Sequence, residues 1–415
     1  MYYHSFVARR LFRNSKGLGD GKSALSPIVR ISVIGVALCI AVMLIAVAIT
    51  LGFKEQASTY TRALTGDIAL SRYTNNPSEK SLPIEVPTQI LSEIRKTPGV
   101  ISATPIGLTA GIVKQDSSFA SMTVMGVDTM ADLTLFNSLI IEGASIKQFP
   151  DDNNAAMITQ EVASKLNLEI GDKTKLYIVD NGSIKVRPII IKGIYASTKS
   201  TDPCIIKLDL LQRMLAWDKN EISYVKIMID NKLSTNSIRE QLTRELIESP
   251  FLPKEYKLGL STTQEMNPEM YEWLDMIDSN IYLLLILMAL VAGFTMISGL
   301  VILVLDKVNL IAVFKAMGAT NRSIRLIFLR LSTLLILKGI AWGNLIAFSL
   351  CCIQKYFKVI KLDREIYFMD YAPISFNLWI WGLVNIAAII VIIIMLLGPT
   401  KMISRISPAK TMRFE

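Results

Sequence analysis

Few residues in this sequence could do chemistry, and those present are poorly spaced for it. The single histidine, His4, lies near the amino terminus. No grouping of histidine, cysteine and carboxylate shows metal-ligand spacing. Gly17-Leu18-Gly19-Asp20-Gly21-Lys22-Ser23 approaches a phosphate-binding loop, but that motif needs a glycine, four further residues and then Gly-Lys-Ser, and Lys16 stands at the position of the first glycine. The context also differs. A basic amphipathic segment, Tyr2 to Arg13, precedes the loop and an apolar run follows it. A flexible linker is expected, and any ATP dependence has to come from a partner. Of Cys39, Cys204, Cys351 and Cys352, all but Cys204 lie in apolar runs, so no disulfide framework is readable. Cys204 is expected as a small buried side chain. Asp151-Asp152, between Pro150 and Asn153, reads as a solvated turn. No nucleophile elbow or lysine–serine dyad can be placed. An enzyme is not expected, nor a metal or cofactor held by this chain.

The elements that must position any function are membrane helices. The 415 residues are 51% hydrophobic and only 19% charged, and the deficit is local. Ile31 to Phe53, Ser279 to Leu305 and Tyr371 to Thr400 carry no charge, and Leu331 to Gln354 carries only Lys338. A bilayer core of about 30 Å takes about 20 helical residues, and unpaired backbone in lipid excludes an open sheet. The first run is too long for a signal peptide and is followed by Leu51-Gly52-Phe53-Lys54-Glu55 with no small-residue cleavage site. It reads as a retained anchor. Arg9, Arg10, Arg13, Lys16, Lys22 and Arg30 precede it; Lys307, Lys315, Arg322, Arg325 and Arg330 lie between runs two and three; Lys401, Arg405, Lys410 and Arg413 follow run four. Four crossings put these three basic segments on one side, the cytoplasmic one, with both termini. The formal charge of +9 is therefore a topology signal, and nucleic acid is not an expected partner.

Residues 54–278 are the only stretch long enough for a folded domain outside the membrane. Val100 to Ile112, Ser121 to Val127, Lys173 to Val179, Ile184 to Tyr195 and Ile222 to Ile229 read as strands. Thr88 to Lys96, Thr159 to Asn167, Asp209 to Trp217 and Ser234 to Ser249 read as helices, with Asp209 as an N-cap. An α+β domain, in two lobes, is expected. Asp180-Asn181-Gly182-Ser183 marks a tight hairpin, because Asn-Gly accepts the positive φ angles of a type I′ turn. Asn267 to Ser279 reads as a stalk entering the second membrane helix.

Lys338 sits about 12 Å inside the third run, where snorkelling or pairing within the bundle is expected. Gly339 and Gly343 follow at a spacing that puts both on one face for close helix packing. The stretch Asp306 to Thr320 is the most informative. Leu310, Val313, Phe314 and Met317 recur at helical spacing, Asp306, Lys307 and Lys315 flank them, and Gly318 is placed to stop the helix. Such a helix either lies on the membrane or docks in the groove of a cytoplasmic partner.

Several of these pieces resemble the FtsX-type ABC permeases, especially the lipoprotein-releasing LolC/LolE branch. They are the order of one helix, a large domain and three helices; Gly52-Phe53-Lys54-Glu55; Ile311-Ala312-Val313-Phe314-Lys315-Ala316-Met317-Gly318-Ala319-Thr320; and, at the tail, Pro399, Ser404-Arg405-Ile406-Ser407-Pro408-Ala409-Lys410 and Arg413. The resemblance implies a membrane protein of four transmembrane α-helices with a large α+β periplasmic domain between helices one and two, in the inner membrane. The parts are a cytoplasmic amphipathic segment (1–30), helix one (31–53), periplasmic domain (54–278), helix two (279–305), cytoplasmic coupling loop (306–330), helix three (331–354), a short periplasmic loop (355–370), helix four (371–400) and a cytoplasmic tail (401–415). It implies two copies of an ATPase subunit, which binds the ATP and Mg, and a second permease subunit in a homodimer or heterodimer. Membrane lipid and a periplasmic carrier or adaptor complete the partners. In the lipoprotein releasers a long periplasmic hairpin hooks the carrier; here Leu176 to Ile190 turns tightly at Asn181-Gly182 and leaves little room for a hook. Three functions stay open: lipoprotein release, MacB-like efflux with a periplasmic partner, and control of a cell-wall hydrolase.

Overall fold

A computed structural model describes residues 25–73, 82–128, 131–149, 152–180, 183–196, 202–230, 234–251, 257–362, 369 and 371–400. The chain divides into a helical unit (1–55, 273–361 and 371–415) and a β-rich unit (56–272 and 362–370).

Among the described residues, four helices are long and apolar enough to cross a membrane. They are α1 (Leu25–Thr65), α8 (Pro268–Asp306), α10 (Asn321–Phe357) and α11 (Leu378–Leu397), numbered in chain order with those introduced below. Their bounds differ from the apolar runs for local reasons. α1 continues past Phe53 because no glycine or proline interrupts Lys54 to Thr65; it stops at Gly66, whose φ of +81° breaks the helix. α8 starts well before Ser279 at Pro268, since proline suits a first helical position, so the expected stalk is helical. α10 likewise begins at Asn321, before the apolar run, with the Thr320 hydroxyl accepting from Ser323 N–H at 3.3 Å. α11 begins only at Leu378, not at Tyr371. Ser375 N–H is engaged with the Ala48 carbonyl of α1 at 3.1 Å, and the Asn377 side chain caps the helix by accepting from Trp379 and Ile380 N–H.

In the helical unit these elements share one apolar core that includes Ile40, Leu44, Met296, Phe328 and Ile392. Between α10 and α11, Gln354 closes the connection. Its amide donates to the Ile360 and Ala372 carbonyls and accepts from Ile360 N–H at 2.8 Å. Tyr356 and Phe357 at the end of α10 and Trp379 at the start of α11 are exposed, as aromatic residues at a membrane interface are.

The β-rich unit begins with β1 (Ile68–Arg72), β2 (Ile84–Glu85), α2 (Thr88–Lys96), β3 (Val100–Gln115), β4 (Ser118–Val127), α3 (Thr134–Ser138) and β5 (Ile140–Gly143). It continues with β6 (Ala155–Thr159), α4 (Gln160–Leu166), β7 (Lys173–Asp180), β8 (Ser183–Tyr195), β9 (Cys204–Lys207) and α5 (Leu208–Leu215). The last elements are β10 (Glu221–Ile222), β11 (Tyr224–Ile229), α6 (Thr235–Glu248), β12 (Leu258–Thr262) and the short α7 (Thr263–Met266). The fold is mixed α+β, as expected. Asp209 does not cap α5; Lys207 holds the cap position and Asp209 lies in the first turn, where a carboxylate complements the helix dipole.

Two arrangements share the long strand β3. Its first half lies in the antiparallel order β12-β1-β11-β3, in which β1–α2–β3 and β11–α6–β12 interleave as a split βαβ sandwich. Its second half joins a closed circuit of pairings, β3-β4-β9-β6-β8-β7 and back to β3. Each has its own core: Ile68, Ile90, Val225 and Leu242 in the first, Val124, Ile158, Ile178 and Leu211 in the second.

Candidate functional site

The short helix α9 (Val308–Ala316) lies between α8 and α10. Two tight joints hold it. Before it, the chain turns at Lys307, whose ammonium lies 3.1 Å from the Asp306 carboxylate. After it, Gly318 takes a left-handed φ of +90°, its N–H donates to Lys315 C=O, and Ala319 N–H donates to Phe314 C=O at 2.9 Å. That pair of bonds is a Schellman motif, and Thr320 starts α10 directly.

α9 has two apolar faces. Ile311 is fully buried and Ala312 nearly so, and Ile311 belongs to the bundle core. Phe314 also packs against that core, and Leu310 is half-buried. The outward residues are Asn309, Val313, Ala316 and Met317, with Val313 49% and Met317 77% exposed. Leu310, Val313, Phe314 and Met317 therefore do not form one outward stripe. The bundle takes Phe314, and Val313 and Met317, one turn apart, present the free apolar surface. Lys315 is half-buried and Gly318 exposed.

The bundle behind α9 is built on close helix approaches. A β-carbon at Gly339 would meet Val36 at 2.8 Å, and one at Gly343 would meet the Ala37 carbonyl at 2.7 Å. Both glycines of α10 thus lie against α1, and any larger residue would force the helices apart. Gly35 meets Thr295 of α8 on another side of α1. Asn344 and Asn385 exchange amide hydrogen bonds of 2.8 and 3.1 Å between α10 and α11. Beyond the apolar stretch, Lys54 pairs with Asp278 at 2.5 Å and Phe53 meets Trp273 edge-on. The sequence signal for the asparagine pair was an amide inside each of two apolar runs.

Within the β-rich unit, the end of α1 is seated by buried polar groups. Lys226 Nζ donates to the Ala63 carbonyl and Tyr224 Oη to the Leu64 carbonyl at 2.9 Å. These occupy carbonyls left open at a helix C-terminus, where a cation is favourable. Arg62 pairs with Asp67 at 2.5 Å, and Asp67 accepts from Ile229 N–H. Burial lowers the Lys226 pKa, while Asp132 and Asp67 push it back up. Tyr60 donates to buried Asp202. The signal for Lys226 was a lysine at an inward position of the strand Tyr224 to Ile229.

β7 and β8 stay paired out to Asp180 opposite Ser183. Asn181 and Gly182 lie outside the described residues. Val179 and Ile184, directly opposed, are exposed near the tip. Residues 1–24, with the glycine-rich segment and His4, and the tail 401–415 also lie outside the described residues. Among the described residues no cluster of His, Cys, Asp and Glu is arranged to hold a metal. Cys204 is fully buried, and burial pushes its thiol up to about 12.

Two family models match successive parts of the chain. Residues 31–245 match the MacB-like periplasmic core domain, and residues 282–408 match the FtsX-like permease C-terminal family. Over 403 residues the chain is 21% identical to the lipoprotein-releasing system transmembrane protein LolE of Haemophilus influenzae, covering 93% of this chain and 94% of that protein. It is 23% identical, also over 403 residues, to the lipoprotein-releasing system transmembrane protein LolC of Buchnera aphidicola, covering 94% of each. The crystal structure of the periplasmic region of MacB from Actinobacillus actinomycetemcomitans aligns with 52% of this chain and 98% of its own at 12% identity, with a TM-score of 0.36. With a MacB-like core domain between its first two membrane helices and an FtsX-like C-terminal half, the chain belongs to the FtsX-like permease family, as the permease subunit of an ABC-type transporter.

Proposed function

We propose that this permease releases lipoproteins from the inner membrane, with both termini and α9 in the cytoplasm. The observation that carries the reading is the end-to-end match, over more than nine-tenths of each chain, to two lipoprotein-releasing subunits. The basic flanks of the apolar runs support the orientation. Two copies of a cytoplasmic ATPase bind ATP and Mg. Each ATPase docks on the outward face of α9, with Val313 and Met317 as its apolar anchors. A second permease subunit, identical or related, completes the membrane part. ATP-driven closure moves α9, and the bundle packed on Ile311 and Phe314 carries that movement to α1 and α8. The Gly339 and Gly343 contacts keep α10 and α1 moving together.

A second reading is MacB-like efflux with a periplasmic adaptor. The core-domain match and the compact β7–β8 hairpin favour it. Depleting the chain in its own cells and separating inner from outer membrane tests the choice. Palmitate-labelled lipoproteins should accumulate in the inner fraction. Unchanged lipoprotein sorting together with loss of resistance to an exported peptide would favour efflux.

A further inference from the structure

Lys338 is the one charge in its apolar run, and its side chain is exposed on the bundle surface. It lines a groove of about 410 Å³ between α1 and α10, together with Arg30. Val33, Ile34, Leu38, Trp342 and Ile346 make the walls. The volume falls within the roughly 300–1,000 Å³ of small-molecule sites. α1 and α10 run in the same direction along the groove, because Gly339 faces Val33 and Val36 while Gly343 faces Ala37 and Ile40. Arg30 and Lys338 therefore share one end, and Leu38 and Ile346 the other. A trench with two cations at one end and apolar walls along the rest complements an amphiphile with an anionic head and an apolar tail. Guanidinium and ammonium groups both bind phosphate oxygens strongly, and basic pockets between membrane helices bind anionic headgroups. Along the four apolar runs a second copy of this chain offers no such anion, for none of them contains Asp or Glu.

We propose that this groove binds one anionic phospholipid, its phosphate held between Arg30 and Lys338 and an acyl chain lying along Trp342. Assigning it to the cytoplasmic leaflet rests on the orientation proposed above; binding itself does not. The test uses the full chain with its co-purifying subunits in mild detergent. Native mass spectrometry would compare phosphatidylglycerol with phosphatidylcholine, and phosphatidylglycerol carrying brominated acyl chains would be used to quench tryptophan fluorescence, with Trp342→Phe as the subtraction control. Phosphatidylglycerol should bind at least tenfold more tightly, and quenching should fall when Trp342 is removed. Arg30→Gln with Lys338→Gln should abolish the preference, whereas Lys338→Arg should keep it. Equal binding of the two lipids overturns the proposal, as does a preference that survives the double substitution. So do photo-crosslinks from Ile346 that join a second copy of the chain and no lipid. If the double variant does not elute as a folded protein, the lipid preference and the Trp342 quenching of the unaltered protein decide.

Discussion

At the scale of single residues, the polar groups inside apolar surroundings are the ones whose loss can be foretold. Asn344 and Asn385 satisfy each other between α10 and α11. Interhelical hydrogen bonds in membranes couple by about 0.6 kcal/mol on average and about 1.7 at most. A double-mutant cycle of Asn344→Leu and Asn385→Leu, followed by thermal unfolding in detergent, should return a coupling in that range. A coupling of zero would mean that the two amides act independently. Lys226 belongs to the same class. Lys226→Met removes the donor to the Ala63 carbonyl, and stranding a buried acceptor costs about 1–3 kcal/mol. Cys204 supplies the reporter. Burial pushes its thiol up to about 12, which keeps it in the unreactive thiol form at pH 8, and the folded domain also shields it. Maleimide should label Cys204 only when the domain opens, and Lys226→Met should speed that labelling. Equal rates in the two proteins would show that Lys226 does not stabilise the seat of α1. These groups were only half legible beforehand. Lys338, Asn344 and Asn385 stand out in apolar runs, but which groups face one another depends on helix rotation, which an uncharged run leaves undetermined.

At the scale of elements, α9 decides how far periodicity can be trusted. Leu310-Ile311-Ala312-Val313-Phe314 is apolar at every position, so spacing alone allows more than one buried face. The bundle takes Ile311, Ala312 and one side of Phe314, leaving Val313 and Met317 outside. Val313→Glu or Met317→Glu should release the ATPase while the permease remains folded. Loss of an anchor worth about 2 kcal/mol corresponds to roughly thirty-fold weaker binding, read as ATPase retained on affinity resin. Phe314→Asp should instead lower the thermal stability of the bundle. Undiminished ATPase retention by both glutamate variants would remove α9 from the docking surface. The β7–β8 hairpin makes a second test at this scale. Photoreactive residues at Asp180, Asn181, Gly182 and Ser183 should give few adducts to a soluble carrier, because the hairpin extends only two residue pairs, Val179–Ile184 and Asp180–Ser183, past its last pairing with β3. Strong adducts there would make this short turn a docking element after all. Helix existence was legible from missing charge, whereas helix ends depended on Pro268, Asn377 and Gly66, and strands as short as β5, β6 and β9 carry too few residues to show a period.

At the scale of the whole molecule, charge placement predicts topology. Cysteine introduced at Ser183 should react with an impermeant thiol reagent in spheroplasts, and cysteine at Ser323 should not; labelling at Ser323 from outside would invert the chain. A consequence of another kind follows from strand order. β1 and β12, the first and last strands of the β-rich unit, are hydrogen-bonded neighbours, with Ile68 opposite Thr262. Within residues 56–272 the first and last strands therefore lie side by side. A module built that way is a cassette: it can be cut out, circularised by a short linker or exchanged between permeases without altering the spacing of the two helices that flank it. Residues 56–272, which keep the last turns of α1 and the Lys226 cap on them, mark where the cut belongs.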